Sequence, residues 1–130
     1  MKDRLESYKD LIVWQKSVEL VINIYRLTRS FPKEEMYGIT SQMRRCAVAI
    51  PSNIAEGYHR NHIKEYIQFL YIAKSSASEL ETQLIIVKKL DFAAQNEVTQ
   101  IEDKLLEILK MLSTLVSKLK EKSYTLHPIP

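Results

Sequence analysis

The stretch HIKEYIQFLYIAKSSASELETQLIIVKKL, from about His62 to Leu90, decides the fold. Ile63, Tyr66, Leu70, Ala73, Ala77, Leu80, Leu84 and Val87 recur at alternating three- and four-residue steps over more than three heptads. Side chains at that spacing share one side of an α-helix and form a seam for a neighbouring helix. Ala73, Ser76 and Ala77 are small enough for that neighbour to approach closely. Asn61 is a candidate N-cap.

The same pattern repeats on both sides. Downstream, Val98, Ile101, Leu105, Ile108, Leu112, Leu115 and Leu119 predict a helix from about Gln95 to Lys122. Upstream, Ile39, Met43, Cys46, Ile50 and Ile54 predict one from about Gly38 to His59, with Thr40 or Ser41 as its cap and Gly57 near its stop. Pro51 lies inside this pattern. A proline there removes a backbone donor and crowds the preceding turn, so a kink at Pro51 is expected. The apolar phase carries through from Ile50 to Ile54, which favours one kinked helix over two. The first helix is predicted from about Asp10 to Arg29. Leu11, Trp14, Val18, Val21 and Tyr25 form its main stripe, Val13, Leu20, Ile24 and Leu27 a second beside it, and Phe31-Pro32 ends it.

The fold class is therefore all-α: an antiparallel up-down four-helix bundle. The chain has 130 residues with only two glycines and four prolines, which suits one domain over residues 1–130 built from long elements. Its core is expected over about 8–122, with a flexible tail over 123–130. Helices one and three carry more apolar surface than one core needs; Ile67, Tyr71 and Ile85 lie off the third helix's seam. These residues either flank a wide core stripe or meet a partner helix in an oligomer.

Composition narrows the function classes. The net charge is +3, which permits nucleic-acid binding without demanding it. Residues 1–90 hold fourteen basic and ten acidic side chains, against five and six in 91–130, so the positive excess lies in the first three helices. The charged start and the lack of any membrane-length apolar run predict a cytoplasmic protein. Cys46 has no cysteine to pair with and sits in an apolar run, so it reads as a small buried hydrophobe rather than a reactive thiolate.

Arg44, Arg45, Arg60 and Lys64 form the best basic cluster. Arginine clamps phosphates bidentately, and a groove of such groups gives salt-dependent nucleic-acid binding. Arg45 and Arg60 are fifteen positions apart, about four turns, and share a face if Pro51 rotates the helix little. The competing reading pairs Arg44 or Arg45 with Glu79 or Glu81. No aromatic interleaving of the kind single-strand readers use is evident near these arginines. Asn53, Glu56, Glu79 and Gln83 are candidates for a polar network between the second and third helices or across a subunit interface. Glu56 and Glu79 as paired catalytic carboxylates are the weaker reading. His59 and His62, even with Glu65, make a poor metal site. Trp14 reads as a core or interface residue, and Lys110, Lys118, Lys120 and Lys122 as a solvated face. No catalytic residue, metal or cofactor is expected.

Five strings carry a family resemblance: DLIVWQKS (residues 10–17), YGITSQMRR (37–45), AIPSNIAEG (49–57), FLYIAK (69–74) and ELETQL (79–84). Over roughly residues 8–92 the chain resembles the four-helix bundle proteins named for open reading frames in intervening sequences of bacterial 23S ribosomal RNA genes. The resemblance implies a small helical bundle with no established enzymatic activity or cofactor, and self-assembly as a homo-oligomer, some members being ring-like homopentamers. A related branch, the accessory protein of diversity-generating retroelements, binds nucleic acid and a reverse transcriptase through a basic pentameric barrel. The expected function is thus a non-enzymatic oligomeric scaffold, a pentamer by kinship, contacting RNA, DNA or a nucleic-acid-bound protein and no membrane. The alternative is a protein-interaction module with no nucleic-acid role.

Overall fold

A computed structural model describes residues 7–126. Four helices carry the fold: α1 (Ile12–Thr28), α2 (Ile39–Tyr58), α3 (Ile63–Lys89) and α4 (Gln95–Leu126). Short 3-10 turns at Tyr8–Asp10 and Lys33–Glu35 precede α1 and α2. Packing is cyclic. α1 and α3 each pack against α2 and α4, and neither diagonal pair packs among the described residues. Short connections between successive helices make neighbours antiparallel, which is the expected up-down bundle.

The core follows the expected seams in α2 and α3, and in α4 as far as Leu112; beyond it Val116 is buried, while Leu115 and Leu119 are half-buried. Leu70, Ala73, Ala77, Leu80, Leu84 and Val87 are fully buried on α3. Ile67 joins them, so this off-seam residue belongs to the core, whereas Tyr71 and Ile85 stay exposed. On α1 the order of the two stripes is reversed. Leu20 and Ile24 are fully buried and Val13 and Leu27 nearly so, while Leu11, Trp14 and Val21 are half-buried and Tyr25 is exposed. Ser17 and Thr28 complete the buried face, each donating its hydroxyl to a carbonyl of its own helix, Trp14 O and Ile24 O, at 2.8 Å. A hydroxyl satisfied inside its own helix buries at little penalty. The inward face therefore looks less apolar in sequence than the outer one.

α2 runs unbroken through the buried Pro51, so this is one helix and not two. Gly57 stands one residue before the end of α2, near the expected stop, and it also has a packing role. A Cβ there would stand 2.8 Å from Phe69 Cβ and 3.2 Å from Tyr66 O, so the missing side chain lets α3 cross closely. The expected caps are not used. α2 starts after Gly38 with no side-chain cap; Ser41 Oγ donates back to Gly38 O, and the buried Thr40 hydroxyl has no partner among the described residues. His62, not Asn61, holds the N-cap position of α3, again without a side-chain bond. α3 ends in a left-handed residue, Asp91 at φ 56°. Phe92 N–H donates to Val87 O and Asp91 N–H to Lys88 O, the paired bonds of a Schellman turn. α4 continues to Leu126, four residues past its expected end, and residues 127–130 of the expected tail lie outside the described residues.

Candidate nucleic-acid interface

The basic quartet does not form one patch, because α2 sends its arginines to opposite flanks. Arg44 turns towards α1: its Nε donates to Thr28 Oγ1 at 2.9 Å, and its guanidinium lies 4.6 Å from the Tyr25 ring centroid. Arg60 falls just past the end of α2 and turns towards α3. It pairs with Glu56 at 2.9 Å and lies 4.7 Å from the Phe69 ring centroid. Arg45 and Lys64 are exposed and make no ion pair among the described residues. The expected pairing of Arg44 or Arg45 with Glu79 or Glu81 is not formed. Arg44 finds a hydroxyl and a ring on α1 instead.

The polar quartet divides. Asn53 Nδ2 donates to Ala49 O of its own helix, and Glu56 is taken by Arg60. Gln83 and Glu79 both reach across from α3 to Cys46 on α2, Gln83 Nε2 lying 3.6 Å from Cys46 Sγ. Burial, reinforced by the nearby Glu79 carboxylate, pushes the Cys46 thiol up to about 11, so it stays protonated at neutral pH. That matches a buried hydrophobe and not a nucleophile. Glu56 and Glu79 share no hydrogen bond. No group of three or more His, Cys, Asp or Glu side chains among the described residues is placed to hold a metal ion.

The aromatic component that the strings conceal is brought together by the fold. The 3-10 turn is fixed at its start by Lys9 N–H donating to Ser7 Oγ, and at its end by Gln15 Nε2 donating to Lys9 O at 2.8 Å. It carries Tyr8 into edge contacts with Trp14 (5.2 Å between centroids), His59 (5.4 Å) and Tyr58 (6.4 Å). Tyr58 in turn meets Tyr66 at 6.1 Å. Burial, with the neighbouring Tyr58, pushes the Tyr66 phenol up to about 12. Trp14 and Tyr25 are eleven positions apart and share one side of α1, about 16 Å from end to end. The outer α1 stripe thus runs along the seam with α2, the Tyr8 cluster at one end and Tyr25 under Arg44 at the other. Beside Arg44, an open pocket of about 390 Å³ is lined by Tyr25, Met36, Ser41, Arg44, Arg45 and Val48. Sequence reasoning missed this track because residues 8, 14, 25, 44 and 58 meet only through the α1–α2 pairing.

No helix among the described residues is long and apolar enough to cross a membrane. The sequence model of the 23S rRNA-intervening sequence protein matches residues 9–114. Among solved structures, the chain is similar to a protein of unknown function from the S23 ribosomal protein family of Bacteroides thetaiotaomicron VPI-5482. The TM-score is 0.73 at 23% identity, over 81% of this chain and 98% of that one. That likeness shows the shared fold. No curated protein matches the chain.

Proposed function

The chain belongs to the 23S rRNA-intervening sequence protein family, and on that premise we propose that it is a non-enzymatic, cytoplasmic, oligomeric scaffold that contacts RNA or DNA. The observation that carries this reading is a cluster of rings at one end of the α1–α2 edge and a ring with two guanidinium groups at the other. Tyr8, Trp14, Tyr58 and His59 lie at one end, and Tyr25, Arg44 and Arg45 at the other. Stacked bases need ring faces and edges, and the phosphates between them need cations. Arg60, paired with Glu56, and the exposed Lys64 lie apart from this edge, at the α2–α3 turn, as a second basic position. Exposed apolar residues on α1 and α3, among them Ile22, Ile72 and Ile86, support self-association. A ring of five copies is the assembly proposed by kinship.

A second reading, a protein-interaction module with no nucleic-acid role, is favoured by Met36 and by Tyr37, which is 96% exposed beside the pocket's rim. Tyrosine, methionine and arginine are enriched at protein interfaces.

Light scattering after size exclusion, with labelled RNA and a DNA duplex at physiological salt, separates the two. An oligomer that carries nucleic acid through the column is the expected result. One that elutes free of it transfers the proposal to a protein partner. Arg45→Ala with Arg60→Ala should weaken binding evenly across sequences and lower the salt slope by about 1 per cation removed. Unchanged affinity and slope would remove both residues from the interface.

A further inference from the structure

We infer that the pocket beside Arg44 is a nucleotide site, in which the Arg44 fork holds a phosphate while the base packs against Met36 and Val48. Arg44 is held in place before any ligand arrives. Its Nε is tied to Thr28 Oγ1 at 2.9 Å, and Thr28 Oγ1 is itself committed to Ile24 O at 2.8 Å. The Tyr25 ring, 4.6 Å away, supports the guanidinium plane. What remains are the two Nη groups, which have no partner among the described residues. They form the end of a fork that matches two oxygens of a phosphate. Immobilising this long side chain in advance lowers the ordering cost that an anion would otherwise meet.

The surroundings select the ligand class. Arg45 lines the same pocket, and no carboxylate does, so the local charge favours an anion. Ser41 has already donated its hydroxyl to Gly38 O. The rest of the lining is Tyr25, Met36 and Val48, each exposed. A bare oxyanion would leave this apolar wall in water, whereas a nucleotide covers it with its base. Volume agrees: about 390 Å³ lies in the range of small-ligand pockets. The proposal rests on the nucleic-acid reading for the choice of a nucleotide as occupant. That nucleotide is either free or one unit of a polynucleotide.

The test is a titration of the full chain with adenosine 5′-monophosphate, inorganic phosphate and adenosine, followed by NMR at the Arg44 Nε–Hε group. Adenosine monophosphate is expected to bind more tightly than phosphate, and phosphate more tightly than adenosine, with the Arg44 signal moving in the first two. Arg44→Lys keeps the charge but removes the fork, and should weaken adenosine monophosphate binding by about tenfold. Thr28→Val frees the guanidinium and should weaken it by a smaller factor. No movement at Arg44, or an Arg44→Lys protein that binds as well as the wild type, overturns the proposal. A short oligonucleotide then separates the sources. If Arg44→Lys weakens it in the same proportion, the occupant is a unit of a polymer; if the oligonucleotide is indifferent, the occupant is a free nucleotide. Nucleotide binding by a chain that carries no RNA or DNA at physiological salt would remove the scaffold reading and leave this site standing.

Discussion

Gly57 of α2 faces Phe69 of α3 so closely that a Cβ on Gly57 would stand 2.8 Å from Phe69 Cβ. Two effects oppose each other in Gly57→Ala. Alanine gains about 1 kcal/mol of helix propensity over glycine. Against this, the new methyl meets a side-chain Cβ and the Tyr66 carbonyl at 3.2 Å, neither of which is the free end of a flexible chain. Overpacking of that kind costs about 1–3 kcal/mol. Gly57→Ala should therefore destabilise the bundle by up to about 2 kcal/mol in urea unfolding. A variant as stable as the wild type would show that α3 can shift away from α2 without penalty.

Asp91 presents the opposite case. It terminates α3 at φ 56°, a conformation that disfavours residues with a Cβ and suits glycine. The turn is otherwise well made, with both Schellman bonds in place and Phe92 packed edge-on against Phe31 at 5.5 Å. Among the described residues the Asp91 side chain accepts one hydrogen bond, from Gln95 Nε2, long at 3.5 Å and exposed. Asp91→Gly should stabilise the protein by about 0.5–1 kcal/mol, measured as a higher urea midpoint at unchanged slope. A lower midpoint would mean that the aspartate contributes more than its strain costs.

These two positions show where sequence reasoning reaches its limit. The α2 string places Gly57 near a helix stop, and α2 does end one residue later, at Tyr58. The packing role of Gly57 depends on what crosses it, which the α2 string does not contain. The four helices and the α3 and α4 seams were legible because a helix that buries one side repeats apolar residues at a fixed step. On α1 both stripes are apolar, so the pattern could not rank them, and the buried hydroxyls of Ser17 and Thr28 weakened the true inward face. The basic residues of the candidate interface were legible as a set. Their directions were not, since Arg44 and Arg60 are each turned by a ring on a different neighbouring helix. The aromatic track was invisible for the same reason.

Cys46 and Tyr66 together predict an alkaline limit to stability. Both groups are neutral when protonated, and the fold holds the Cys46 thiol up at about 11 and the Tyr66 phenol at about 12. An unfolded chain releases these protons near their ordinary values, about 8.5 and 10. Stability from these sites is therefore complete below pH of about 8.5 and is lost as pH rises through the folded values. Urea midpoints should fall from about pH 9 to 12, and Tyr66→Phe should flatten the upper part of that fall. At pH 7.5 the Cys46 thiol should resist alkylation in the native protein and react readily in urea. Rapid native alkylation would contradict the burial of its sulfur.

The exposed face of α3 bears on self-association. Tyr71, Ile72, Ile85 and Ile86 are 41–44% exposed and lie on its outer side, two in the first half of the helix and two near its end. Ser75, Ser78 and Thr82 lie between them, small enough for a second helix to pack closely. α4 differs: its outer side carries Glu97, Asp103, Glu107 and Lys110, with Leu106 as its exposed large apolar residue. Water solvates the α4 face at no penalty, while the α3 face gains by being covered. Ile72→Glu with Ile86→Glu should therefore convert an oligomer to monomers in light scattering. Because neither side chain is buried within the bundle, the unfolding free energy of the monomer should change by no more than about 0.5 kcal/mol, as for other surface substitutions. An oligomer of unchanged mass would exclude this face and direct the search to the outer stripe of α1, where Ile12, Ile22 and Tyr25 offer the next exposed apolar surface.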